Sequence, residues 1–318
     1  MSGCGTGLDS VRCSGRFKGP GRAESVLHHT DGGVAMSVSP RMLRYQLPVI
    51  KALGRTVAAA AIPARKGAAP STPGREISET VPPRSNELVD AYVAWAGAAP
   101  DKYRDRIPPH MFPQWGFPAL TRTLEGLPYP MAKVLNQGCA MTINGDIPRG
   151  APLQAVARLE SVDEDERRVR IHQRLTTGPR QQPDALIADV YAVIPKKRGG
   201  GGKKQGKEPD WTEAGRFDVR SDDGRNFAFL TGDLNPIHWI PPMARLSGFK
   251  RPILHGFGTL ARTFEIIEGP DGSIEQIDVR FVRPLIMPQT VIVERAAAQI
   301  RARGTDGTVF LAGTISPA

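Results

Sequence analysis

The chain places its apolar residues in two alternating ways. Runs with apolar side chains at about every second position read as half-buried strands: 140–147, 153–159, 169–175 and 188–194 in one stretch, then 277–282, 291–296 and 308–315 in another. Ahead of each group lies an apolar segment with a helical repeat. Gly116-Phe-Pro-Ala-Leu-Thr-Arg-Thr-Leu-Glu125 aligns with Gly256-Phe-Gly-Thr-Leu-Ala-Arg-Thr-Phe-Glu265, with six of ten positions identical at a constant offset of 140. The prolines repeat as well, Pro148 and Pro152 against Pro284 and Pro288, each pair between strand-like runs. Two units of one kind are therefore expected, each an apolar helix followed by a meander of strands, which is an α+β architecture. Such sheets leave edges open, so the two units are expected to pair side by side.

Outside the units the pattern loosens. Residues 1–40 read as a flexible head. Leu43, Leu47, Ile50, Leu53 and Val57 predict a helix over 41–61 lying on the body, and 62–84, rich in Pro, Ala, Gly and Ser, reads as a linker. The first unit then covers 85–195 and the second 211–318. Between them lies 196–210, whose part ahead of Glu208 carries Lys196, Lys197, Arg198, Lys203, Lys204 and Lys207 on either side of a four-glycine run and accounts for six of the net ten positive charges. Glycines at 199–202 make a stable helix or strand there unfavourable, leaving a solvated linker or a loop that attracts phosphate groups.

Composition narrows the classes. Hydrophobic residues at 40% and charged ones at 23% suit a soluble globular protein. No zinc-finger spacing, RNP-like strand or basic helix accompanies the positive charge, so a nucleic-acid partner is not expected. Cys4, Cys13 and Cys139 make neither a metal framework nor an even disulfide count, which suits a reduced, cytoplasmic compartment. Arg44, Lys51 and Arg55 interrupt the most apolar N-terminal stretch, so no membrane span is expected. Residues 1–35 lack the apolar core of a secretory signal, and Met36 is a candidate start.

Chemistry gathers in Thr231-Gly-Asp-Leu-Asn-Pro-Ile-His238. Proline fixes its own φ and pushes the residue before it out of the helical region, so this stretch leaves the preceding apolar run for a fixed loop. A rigid loop can aim a carboxylate, Asp233, and an imidazole, His238, at one water molecule. As a bare string, Gly-Asp-x-Asn-Pro is also an ordinary turn. What favours chemistry is Arg251-Pro-Ile-Leu-His-Gly256, which opens the second apolar helix. An N–H at a helix start carries partial positive charge, and Gly256 has no side chain to hold a substrate away.

The block Phe227–Glu265, followed by Ile277-Asp-Val-Arg-Phe-Val-Arg-Pro284, resembles the MaoC-like, (R)-specific enoyl-thioester hydratase family. The strong part of the match covers 211–318. The first unit resembles the degenerate half of the double-hotdog members of that family. The resemblance implies reversible hydration of trans-2-enoyl thioesters, with Asp233 and His238 catalytic and the Gly256 N–H as oxyanion donor. Asn235, His255 and Phe257 complete the expected substrate-binding set. It implies no metal or redox cofactor, and an acyl-CoA or acyl carrier protein thioester as partner. A monomeric double hotdog and a homodimer are both compatible with it. An acyl-binding or thioesterase-like hotdog protein is the alternative. Where some members carry a serine on the catalytic helix, this chain reads Ala261-Arg-Thr-Phe264, with Thr259 and Thr263 as candidate substitutes. At the 140 offset, Thr231–His238 falls on Ala91–Ala98 and His255 on Trp115, so the first unit lacks the acid/base pair. Trp115, Phe117 and Phe112 are expected either to line the acyl tunnel or simply to pack the core.

Overall fold

A computed structural model of the chain describes residues 37–60, 71–196, 208–269 and 273–317. Cys4, Cys13, Met36 and residues 197–207 of the basic linker lie outside the described residues. In chain order the elements are α1 (Leu47–Ala60), β1 (Ile77–Val81), α2 (Asn86–Ala96), α3 (Pro113–Arg122), β2 (Leu135–Ile143), β3 (Leu153–Glu164), β4 (Arg168–Pro179) and β5 (Leu186–Pro195). The second half follows with β6 (Thr212–Val219), α4 (Asp223–Thr231), α5 (Pro241–Leu246), β7 (Ile253–Leu254), α6 (Gly256–Glu268), β8 (Ile274–Phe281), β9 (Leu285–Ile286), β10 (Gln289–Ala296), β11 (Gln299–Gly304) and β12 (Val309–Pro317).

Ten strands form one antiparallel sheet in the order β1-β3-β4-β5-β2-β8-β12-β11-β10-β6. The order is symmetric about the β2–β8 seam, where Cys139 stands opposite Val279 and Met141 opposite Ile277. Each half lays its long helix against its strands: α3 on β1, β3 and β4, and α6 on β2, β6, β8, β10 and β12. This is a double hotdog. Period-2 alternation explains the strands. In β5, Leu186, Ala188, Val190, Ala192 and Ile194 all point inward, between half-buried neighbours. One apolar core runs through both halves, including Trp95, Phe112, Trp115, Phe227, Phe257 and Phe264.

Two expectations need correction. Residues 77–81, read as linker, are β1, which pairs with β3 and occupies the place that β6 holds in the other half. The linker reading failed because the strand is only five residues long and buries just its two end residues, Ile77 and Val81. The offset of 140 also does not hold ahead of the long helices. Helix α3 begins at Pro113, three residues before the position aligned with Gly256, so Trp115 lies inside its helix while His255 is an N-cap. Helices α2 and α4 both end on a left-handed glycine, Gly97 (φ 85°) and Gly232 (φ 83°). Counting on from these caps sets Ala98 against Asp233 and Tyr103 against His238, in place of the Ala91–Ala98 register. At these positions the first half therefore carries no acid/base pair.

Candidate active site

The loop that carries Asp233 and His238 is set by its own short-range bonds. Helix α4 stops because Gly232 takes the left-handed conformation, its N–H bonding the Ala228 carbonyl at 2.8 Å. A Cβ at Gly232 would also come within 2.8 Å of Val49, so α1 sits directly on this turn. The Asp233 carboxylate accepts the Asn235 N–H at 3.3 Å. Asn235 in turn caps the single 3-10 turn Pro236–His238, its side chain accepting the Ile237 N–H at 3.3 Å. Asn235 thus shapes the loop through its side chain.

His238 closes that turn and is buried. Its Nδ1 lies 2.8 Å from the Ile253 carbonyl, which can only accept, so Nδ1 carries the hydrogen and Nε2 is left with its lone pair. His255, at the N-cap of α6, lies parallel to it with ring centroids 3.5 Å apart. The His255 Nε2 donates to the Asp233 backbone carbonyl at 3.1 Å, which ties the loop to the start of α6. Its Nδ1 is buried without a partner. One nitrogen from each ring and one Asp233 oxygen lie within 4.8 Å of one another, the one such cluster of potential metal ligands among the described residues.

Burial pushes both imidazoles below their ordinary pKa. In His238 it is opposed by the Asp233 charge and by the bond to Ile253. In His255 burial is reinforced by His238 and only partly offset by the bond to Asp233. Two stacked rings in a site largely closed to water are thus held neutral.

Gly256 is the first residue of α6, so its N–H has no intrahelical acceptor. A Cβ there would lie 2.5 Å from the Phe281 ring, which explains the glycine sterically. Phe257 is buried between Phe112, Phe117 and Phe281 in edge-to-face contacts of 5.4 to 5.6 Å. Phe257 and Phe112 therefore sit in the core where the two halves meet. Trp115 is buried too, donating to Thr177 at 3.3 Å. Of the two threonines, Thr259 bonds back to the His255 carbonyl at 3.3 Å, while the Thr263 hydroxyl is buried without a partner.

Behind the site stand residues that sequence reading did not single out. Arg262 forks onto the Asp223 carboxylate at 2.9 and 3.0 Å and lies 4.2 Å over the Trp95 ring. Trp95 donates to Asp223 at 3.1 Å and packs on Phe227, which packs on His255. Further along α6, Glu265 receives Lys102 at 2.7 Å, His110 at 2.7 Å and Tyr103 at 2.8 Å. Burial pushes the Glu265 carboxyl up. The His110 hydrogen bond and the charges on His110 and Lys102 outweigh it and bring the pKa down to about 2. The one sequence signal was Arg-Thr repeating in both helices; in the first half Arg122 pairs instead with Glu79 of β1.

The sequence profile of the MaoC like domain family matches residues 203–311. The chain is 39% identical over 70 residues to the peroxisomal enoyl-CoA hydratase 2 of Arabidopsis thaliana, a match covering 20% of this chain and 23% of that protein. It is 25% identical over 198 residues to 3-hydroxyacyl-thioester dehydratase Y of Mycobacterium tuberculosis, covering 55% of this chain and 68% of the relative. Among solved structures, HtdX of Mycobacterium tuberculosis superposes with a TM-score of 0.63 at 20% identity, over 77% of this chain and all of that one. No helix among the described residues is long and apolar enough to cross a membrane. The matched segment contains the loop, both histidines and α6, and over the rest of the chain the likeness is one of fold, the double hotdog.

Proposed function

We propose that this chain reversibly hydrates trans-2-enoyl thioesters to (R)-3-hydroxyacyl thioesters, with Asp233 and His238 handling the water and the Gly256 N–H receiving the thioester oxygen. The observation that carries this reading is the convergence of the Asp233 carboxylate and a neutral His238 within 4.8 Å, next to the start of α6. Two hydrogen bonds of ~2.8 Å meeting at a tetrahedral oxygen span roughly 4.6 Å, so one water fits between such groups. The names of the hydratase and dehydratase relatives support the same chemistry.

In the hydration direction the water oxygen bonds to C3 as one of its protons passes to His238 Nε2. The π electrons move toward the thioester oxygen, where the Gly256 N–H stabilises the enolate. The enolate then takes a proton at C2 from the imidazolium, so one water is consumed and His238 is restored. Asp233 holds the water and offsets the transient charge on the ring. His255 positions the loop through its bond to the Asp233 carbonyl.

The test is loss of the conjugated-enoyl absorbance of crotonyl-CoA. Asp233→Asn and His238→Ala are expected to lower kcat by about 10²–10⁴-fold with unchanged circular dichroism and thermal midpoint. A wild-type protein inert on short, medium and long enoyl thioesters would overturn the proposal, and release of free thiol from acyl-CoA would replace it with thioester hydrolysis.

A further inference from the structure

The two halves differ most between the loop and the long helix. Tyr103 and Arg106 are separated by two residues in the first half, whereas their counterparts His238 and Ile253 are separated by fourteen. The extra segment, 239–252, contains α5 and leaves and returns at the site itself, since the His238 imidazole bonds the Ile253 carbonyl.

Its surface is unusual for this protein. Trp239, Met243 and Leu246 are 37%, 38% and 82% exposed, half of the six large apolar side chains that stand most exposed among the described residues. Arg245, Lys250 and Arg251 surround them, all exposed, and none has an acidic partner among the described residues. Elsewhere most arginines are paired. No Asp or Glu occurs from Leu234 to Phe264. Lys250 and Arg251 also border a hollow of about 270 Å³ that reaches Pro284 and Phe310 and includes one carboxylate, Asp306, outside ion-pair distance of either. An apolar stripe ringed by unpaired cations is complementary to an acidic surface with an apolar centre.

We propose that segment 239–252 is the docking surface for an acidic acyl carrier protein, which presents the enoyl chain on its phosphopantetheine arm. This rests on the hydratase reading for its substrate, while the surface itself stands on exposure and charge. Helix α5 contacts the carrier's apolar centre through Met243 and Leu246, and Arg245, Lys250 and Arg251 face its carboxylates. Charged rims act chiefly on association, so the effect belongs in kcat/KM for the carrier-bound substrate.

The experiment compares one crotonyl group on three handles: a discrete acidic acyl carrier protein, coenzyme A and N-acetylcysteamine. The full chain is compared with Leu246→Asp and with the double variant Arg245→Glu/Lys250→Glu. Both variants are expected to lose at least about tenfold in kcat/KM on the carrier and to stay within about twofold on N-acetylcysteamine. A carrier with acidic residues changed to lysine should recover part of the loss in the double variant. Equal effects on all three handles, or losses confined to coenzyme A, would overturn the proposal, the latter assigning the cations to nucleotide phosphates. A wild-type dimer that Leu246→Asp makes monomeric, with carrier kinetics unchanged, would overturn it in favour of self-association. Calorimetric titration with the holo carrier, carrying no acyl group, keeps docking separate from turnover. Saturable binding weakened by the variants supports the surface even if no thioester is hydrated, and absence of binding defeats it even if the enzyme is active.

Discussion

At the scale of single residues, the site is set by what each group is denied. His238 has one nitrogen committed to a carbonyl and the other free, and burial keeps it uncharged. A base must be neutral to accept a proton. Its pKa is lowered in the folded chain, so activity should persist as pH falls past the ordinary histidine value of about 6.5 and fail only below it. A pH profile of kcat/KM on crotonyl-CoA checks this through its acid limb. Gly256 is denied a side chain by Phe281. Gly256→Ala should destabilise the chain by about 1–3 kcal/mol through overpacking, and should also slow turnover by displacing the N–H. Adding Phe281→Leu should restore part of the thermal midpoint. These residues were legible in the sequence because their chemistry is local: Asp233, Asn235, Pro236 and His238 fall within six positions, and His255-Gly256 opens a helix.

At the scale of elements, the second half of α6 is held by two buried charges that no local pattern announces. Arg262 meets Asp223 and Trp95 on two other helices, and Glu265 meets Lys102, Tyr103 and His110 from the first half. Their partners lie 39 to 167 positions away, so only the fold brings them together. The Glu265 pKa is depressed on folding to about 2. Its stabilisation is therefore complete above about pH 5 and vanishes as pH falls through about 2, worth roughly 3 kcal/mol while it lasts. Glu265→Gln should cost about 3–5 kcal/mol at pH 7 by stranding its buried partners. The gap between wild type and variant in denaturant midpoint should close near pH 2. Edge strands were equally hard to read. In β6 only Val219 is fully buried, so Thr212–Val219 lacks the inward alternation that made β3, β4 and β5 plain. Helices α2 and α4 share a glycine stop, but the intervening loop differs in length. One offset could not align both the stop and the helix that follows.

At the scale of the whole molecule, the two halves share one ten-stranded sheet and one main core, joined where β2 meets β8. The side-by-side pairing was legible from the duplicated helix-then-strands pattern, because sheets of that kind need an edge partner. The residues at the join were not, since Ala140–Ile147 reads as an ordinary strand whichever neighbour it takes. Cys139 sits at that join, fully buried opposite Val279, and burial pushes its thiol well above the usual range. Alkylating reagents attack thiolates, so this sulfur can react only when the strands come apart. Iodoacetamide labelling, with Cys139 resolved from Cys4 and Cys13 by peptide mass, should proceed at the rate of global unfolding and rise with urea at the same slope. Labelling far faster than that would reveal partial opening along the join. The chain thus carries its own stopwatch for how often its duplicated halves let go of each other.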